Sequence, residues 1–187
     1  MARLSVFEQV SVDGYFVDRH GDMSWAKGRR DEEFDAFVEG NAAGGSTLVF
    51  GRVTYEMMAS FWPTNWAASA NPVVAERMNA LPKIVFSRTL GSADWHNTRL
   101  VRSDLIGEIE RLKGRDSDLA VLGSGSIVAQ LAEADLVDEY QIVVFPLVLG
   151  GGRSMFEGQT RRFGVEPLEV RRFHNGCVLL RYEPARQ

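Results

Sequence analysis

Ala120-Val121-Leu122-Gly123-Ser124-Gly125-Ser126-Ile127-Val128-Ala129-Gln130-Leu131 reads as a short buried strand, a glycine turn and a helix. Leu119 to Leu122 are apolar without alternation, as suits a strand covered on both faces. Gly123 and Gly125 permit backbone angles and close approaches that a side chain would block. Ser124 or Ser126 can cap the helix, whose apolar residues Ile127, Val128 and Leu131 share one face. The bare N–H groups of such a helix start form an anion site, and pyrophosphate is its common occupant. Taken alone, the turn is equally compatible with a plain strand-to-helix connection that binds nothing.

Working outward, the same grammar recurs. Residues 3–10 alternate, with Leu4, Val6 and Glu8 on one face and Ser5, Phe7 and Gln9 on the other, which predicts a strand. Asp13-Gly14 marks a turn, and a polar loop containing Trp25 follows. Asp31 opens a helix that turns Phe34, Phe37 and Val38 to one side and ends before Gly44-Gly45. Thr47–Phe50 is a second strand, and Gly51-Arg52-Val53-Thr54 leads it into a helix carrying Tyr55, Met58 and Ala59. Phe61 to Trp66 form an aromatic loop, and residues 73–80 a short helix. Ile84–Phe86 is a strand that opens into Ser87-Arg88-Thr89, and residues 98–101 form another. Ser103 is expected to cap a helix burying Leu105, Ile106, Ile109 and Leu112, with Gly114 at its C′ position. Gln141–Phe145 is a buried strand stopped by Pro146. Gly150-Gly151-Gly152 is a mobile or tightly bent loop. Asn175-Gly176 is the two-residue type I′ hairpin signal between two strand-like runs.

Strands alternating with helices predict an α/β fold of one domain over residues 1–187. Its mostly parallel sheet is covered by helices on both faces and ends in an antiparallel hairpin. The chain has 187 residues, 45% hydrophobic and 25% charged, an ordinary globular balance. A net charge of −4 argues against nucleic acid as a main partner. The single cysteine, Cys177, excludes an internal disulfide, and no His, Cys or carboxylate set has metal-ligand spacing. No signal-like start and no membrane-length apolar run are present, so a cytoplasmic protein is expected.

Three strand ends share one character: Phe50-Gly51-Arg52-Val53-Thr54, Phe86-Ser87-Arg88-Thr89 and Leu122-Gly123-Ser124-Gly125-Ser126. Each is a buried strand opening into small hydroxyl residues, and two carry an arginine. Ligands of open α/β sheets bind outside the carboxyl ends of the strands. The recurrence favours a ligand with several phosphates, although each arginine alone reads as a solvated surface charge. The glycine turn comes late and Val128 stands where a third fingerprint glycine would be, so a standard Rossmann domain is not expected.

With Ser11-Val12-Asp13-Gly14-Tyr15 and Pro146 to Gly152, these motifs resemble the dihydrofolate-reductase-like superfamily. The resemblance is closest to the reductase domain of riboflavin biosynthesis and its stand-alone bacterial relatives, and it covers nearly the whole chain. It implies a three-layer fold and an NADPH-dependent reductase passing hydride to a pterin-like or ribitylamino-pyrimidine-like substrate. Gly51, Arg52 and Thr54 then fall where the family holds the cofactor phosphates. Ser87, Arg88 and Thr89 fall at the 2′-phosphate, and Leu122, Gly123, Ser124, Gly125, Ser126 and Ile127 at the pyrophosphate and nicotinamide. Glu33, with Asp31 as a rival, is the folate-like candidate for the substrate-gripping carboxylate, and the pKa of Glu33 is expected to be raised by desolvation. Asp13 is the riboflavin-type alternative. Trp25, Phe37, Met58 and Trp62 are candidates for lining the heterocycle pocket or, equally, for the core. The zinc signature of a deaminase is missing, so a reductase without the deaminase half is expected. A homodimer is expected because the apolar strand at 142–145 and the last hairpin lie at a sheet edge needing cover. The other class of function is an NADPH-binding protein or sensor without turnover.

Overall fold

The computed structural model describes residues 2–42, 44–115 and 117–185. Its centre is an eight-stranded sheet. Along the chain the strands are β1 (Leu4–Ser11), β2 (Tyr15–Val17), β3 (Thr47–Gly51), β4 (Lys83–Phe86), β5 (Thr98–Val101), β6 (Leu119–Leu122), β7 (Glu139–Phe145), β8 (Arg153–Ser154), β9 (Val165–Arg172) and β10 (Val178–Pro184). The helices are α1 (Glu32–Ala42), α2 (Arg52–Phe61), α3 (Asn65–Ala70), α4 (Pro72–Ala80), α5 (Leu105–Lys113) and α6 (Gly125–Glu133). The sheet order is β5-β4-β3-β6-β1-β7-β10-β9, and β2 and β8 pair separately. The strands from β5 to β7 are mutually parallel, and β10 is antiparallel to β7 and to β9.

The period of two in the strands builds the layers. Val49, Ile84, Phe86, Leu119 and Val121 point to the face covered by Ile109 and Leu112 of α5 and by Ile127, Val128 and Leu131 of α6. Their neighbours Leu48, Phe50 and Val85 point the other way, onto Tyr55 of α2 and Val74 and Met78 of α4. On the same side, Phe34 of α1 packs on Val143, Phe145, Phe173 and Leu179. Helices therefore cover both faces, as the alternation of strand and helix predicts. No helix among the described residues is long and apolar enough to cross a membrane.

Local chemistry departs from expectation at several points. The residue capping α5 is Asp104, not Ser103: its carboxylate accepts the Gly107 N–H at 3.1 Å. Gly114 ends that helix at φ −73, so a right-handed C-cap replaces the expected left-handed glycine. Asn175 is absent from the residues with positive φ, so the hairpin is not a type I′ turn. Instead Gly176, at φ +88, donates its N–H to Phe173 O at 3.0 Å, and Phe173 N–H donates to Cys177 O. That is the three-residue loop with a left-handed glycine. The stretch read as an aromatic loop runs at Asn65 into α3, which starts because Thr64 Oγ1 accepts the Ala67 N–H at 3.1 Å. Strand β7 lies inside the sheet between β1 and β10, and only β9 of the hairpin is an edge.

The triple glycine is tightly bent. Gly152 lies at φ +150, and a Cβ there would collide with the Val17 carbonyl. Only glycine lets β8 come alongside β2.

Candidate functional site

Strands β4, β3 and β6 are parallel neighbours, so their carboxyl ends form one rim. The three hydroxyl-rich stretches are thus brought together. Ser124 ties two of them. Its Oγ accepts the Gly51 N–H at 2.8 Å and donates to Thr54 Oγ1 at 2.9 Å. Ser124 therefore does not cap α6 with its side chain. It sits in the left-handed region, φ 65 and ψ 61, where an L-residue is strained. Gly123 precedes it at φ +58. The helices α2 and α6 both open at this rim without a side-chain cap bond. The α6 ladder begins only with the Ile127 and Val128 N–H groups, which donate to Ser124 O. The N–H groups of Gly125 and Ser126 precede that first bond, at the positive end of the helix dipole. By contrast, α1 and α5 receive carboxylate caps from Asp31 and Asp104.

At the β4 end, Ser87 Oγ accepts the N–H groups of Thr89 (3.2 Å) and Leu90 (3.0 Å), shaping its own turn. Arg88 and Thr89 are exposed there. Among the described residues Arg88 forms no ion pair, whereas Arg52 is held by Glu56 at 2.9 Å, one turn along α2. The rim has donors for several anionic oxygens, with one guanidinium uncommitted and another held loosely at the surface.

Behind the rim lies a cavity of about 450 Å³. Met58 and Trp62 line it, joined by the Trp62 Nε1–H donating to the Met58 sulfur at 3.1 Å. Phe7, Leu122, Gly123 and Thr54 line it as well. Trp25 and Phe37 do not. Trp25 packs edge-on against Phe145 at 5.4 Å, and Phe37 lies 5.1 Å from Phe173, so both belong to the aromatic core between α1 and the hairpin. Of the four residues offered for the pocket, two line it and two are core.

Neither expected carboxylate faces this cavity. Glu33 accepts from Arg171 Nη2 at 2.8 Å and from the His174 N–H at 2.9 Å, so it clamps α1 to the β9–β10 hairpin. The Arg171 guanidinium, then the His174 N–H, holds its pKa down at about 2. The expectation of a raised pKa is therefore reversed, because a cation partner outweighs desolvation. Asp13 accepts the N–H groups of Leu149 (3.1 Å) and Gly150 (2.8 Å) and fastens the loop after β7 to the β1–β2 turn. The neighbouring Ser11 hydroxyl and those N–H groups bring its pKa to about 2.

Two other carboxylates reach the cavity among the described residues, Asp118 at the amino ends of the strands and Glu8 at the rim end of β1, and Glu8 is the buried one. It is 3% exposed, and burial raises its pKa to about 8. Among the described residues its Oε1 accepts only the adjacent Gln9 N–H, at 3.2 Å, and its Oε2 has no partner. The signal for it was present in the sequence: an acid in the buried phase of an alternating strand. Cys177 is fully buried and its thiol is pushed up to about 11, which removes it as a nucleophile.

The family described as the RibD C-terminal domain matches residues 2–179. The chain belongs to that family. The uncharacterized protein YyaP of Bacillus subtilis (strain 168) is 24% identical over 174 residues, covering 92% of this chain and 90% of its own. A putative riboflavin biosynthesis protein from Shewanella sp. PV-4 is 25% identical, covers all of both chains and superposes with a TM-score of 0.76. The Thermotoga maritima diaminohydroxyphosphoribosylaminopyrimidine deaminase/5-amino-6-(5-phosphoribosylamino)uracil reductase is 16% identical. It matches 98% of this chain over 57% of its own, with a TM-score of 0.69. The fold is dihydrofolate-reductase-like, that of the RibD C-terminal domain.

Proposed function

We propose that the protein is an NADPH-dependent reductase acting on a small heterocycle of pyrimidine or pterin type. The observation that carries this is one rim with two uncapped helix starts beside a cavity of about 450 Å³ that Val53, Thr54, Leu122 and Gly123 of the same rim line. Pockets of this size take a flat heterocycle, and its wall of Phe7, Met58 and Trp62 offers apolar faces to one. The residues present fit a phosphorylated dinucleotide. The N–H groups at the starts of α2 and α6 would hold its diphosphate, with Thr54 and Ser124 fixing the two turns. Ser87, Arg88 and Thr89, with Arg52, would receive the 2′-phosphate. When bound, NADPH supplies the hydride. The chain's part is to hold the rim rigid, seat the heterocycle against Leu122 and Gly123, and keep water out of the cavity.

The test is NADPH oxidation against a panel of dihydropterins, aminopyrimidinones, quinones and nitro-compounds. Turnover confined to the heterocycles supports the reading. Saturable NADPH binding without turnover on any of them makes the protein a nucleotide-binding sensor instead.

A homodimer is also proposed, now on a sheet face rather than an edge. Ile142, Leu180 and Val170 form one row across β7, β10 and β9, and Val144 and Val178 lie beside it. Val170 is 66% exposed and Leu168 45%. Such a face is expected to be covered by a second copy.

A further inference from the structure

Strand β1 outruns β6 at the rim. Phe7 is the last residue paired, with Leu122, and its carbonyl accepts the Gly123 N–H at 3.3 Å. The next residue, Glu8, is paired only with Ile142 of β7, so on its other side the sheet opens into the crevice beside Gly123. A Cβ on Gly123 would lie 3.9 Å from Glu8 Oε2. Glu8 is therefore a buried carboxyl towards the carboxyl end of β1, lining the cavity, with one oxygen that has no hydrogen-bond partner among the described residues.

We propose that Glu8 is the general acid of the reaction, carrying the proton that a C=N or C=O bond takes up when it receives a hydride. The proposal rests on the reductase reading above. The balance is complete: a C–H bond forms with the hydride from the reduced nicotinamide, and the Glu8 O–H breaks as an N–H or O–H forms. Glu8 is left as a carboxylate and is reprotonated from water. Burial supports the assignment, because the acid form persists past neutrality, to about pH 8. The elements packed round this end of β1 bring Phe16 and Val17 of β2, Thr54 of α2, Gly123 and Arg153 of β8. The only other charged side chains on the cavity wall among the described residues are Arg153, stacked over Phe16, and Asp118, at the amino ends of the strands. An acid left unpaired in such a wall serves no packing purpose that glutamine would not serve better.

The test uses the whole chain with ¹³C-labelled glutamate. The Glu8 carboxyl resonance, assigned by its loss in Glu8→Gln, is followed through neutral pH with and without NADPH, and then with 7,8-dihydropterin added. A carboxyl still protonated at neutrality that shifts with the pterin is expected. So is a fall in kcat of about a hundredfold or more in Glu8→Gln, with the basic limb of the pH profile lost. Glu8→Asp should recover part of the rate and the limb. NADPH affinity should change by less than about threefold in either variant. A Glu8 that is already ionised at neutrality overturns the proposal, as does a glutamine variant with the wild-type profile. Failure of NADPH to bind sinks the reductase reading instead, while the resonance still decides whether Glu8 holds a proton.

Discussion

Ser124 is a non-glycine residue at φ 65, and it stays there because two hydrogen bonds need it there. The left-handed region costs an L-residue about 1–2 kcal/mol. The bonds to Gly51 and Thr54 each return about 1 kcal/mol and leave no buried polar group unpaired. Ser124→Ala keeps the strain and loses both bonds, so it should destabilise the protein by about 2 kcal/mol. Ser124→Gly relieves the strain and should be the more stable of the two in urea unfolding. Arg88 makes a different kind of claim, about ligand choice. Charge-assisted contacts to a phosphate are each worth about 1.5–3 kcal/mol. Arg88→Ala should weaken NADPH binding about tenfold or more and leave NADH nearly unchanged, read by fluorescence titration of both cofactors. Equal losses for the two would remove the 2′-phosphate from this end of the rim. Glu33 belongs to stability. Its folded pKa is depressed from 4.5 to about 2, so its contribution is present above pH 4.5 and lost as pH falls towards 2. Glu33→Gln should therefore melt below the wild type at neutral pH, and the two should converge in acid, while NADPH affinity is untouched.

At the scale of the element, what the sequence discloses depends on how far the deciding partner lies. Strands β3, β4 and β6 were legible because burial on both faces writes an unbroken apolar run, and β7 because Ile142 to Phe145 are apolar although its Ile142–Val144 face is only half-buried. The longer helices were legible from their 3.6-residue stripe, whereas the six-residue α3 is too short to show one and reads as loop. The three strand ends could be read as one rim because parallel order follows from alternating strands and helices. The caps were less legible, since Ser103 and Asp104 are both good capping types and only the backbone path chooses between them. The role of Glu33 was not legible. Its partner Arg171 stands 138 residues away, and no local pattern reports that contact. Glu8 could be read as sharing a face of β1 with Leu4 and Val6, but no local pattern reports that this face opens beside Gly123. Lys83 is a second charge on a buried strand, at the start of β4. Its ammonium is buried, donates to the carbonyls of Met78, Asn79 and Leu81, and lies 4.5 Å from the Trp95 ring. It closes the C-terminus of α4 from the neighbouring strand. Lys83→Met strands those carbonyls and should cost about 2–3 kcal/mol in chemical denaturation, without moving cofactor affinity.

For the whole molecule, the sheet's two halves differ. From β5 to β1 it is covered on both faces, while the row that starts at Ile142, packed against the core, runs through half-buried Leu180 to Val170, which is 66% exposed on β9. The edge of β9 itself is blunted by Pro167, opposite the irregularity at Arg181 and Tyr182, which discourages backbone pairing with another chain. Association is then expected through the face. Light scattering should give twice the chain mass at micromolar concentration, and Val170→Lys should shift it to monomer. A wild-type monomer at that concentration would contradict this arrangement. The central claim concerns the rim, and its most direct measurement is a calorimetric titration of the whole protein with NADPH. The account predicts saturable binding at one site per chain, weakened in Ser124→Ala and Arg88→Ala but intact in Glu33→Gln. No saturable heat, or binding that ignores both rim substitutions, would contradict it.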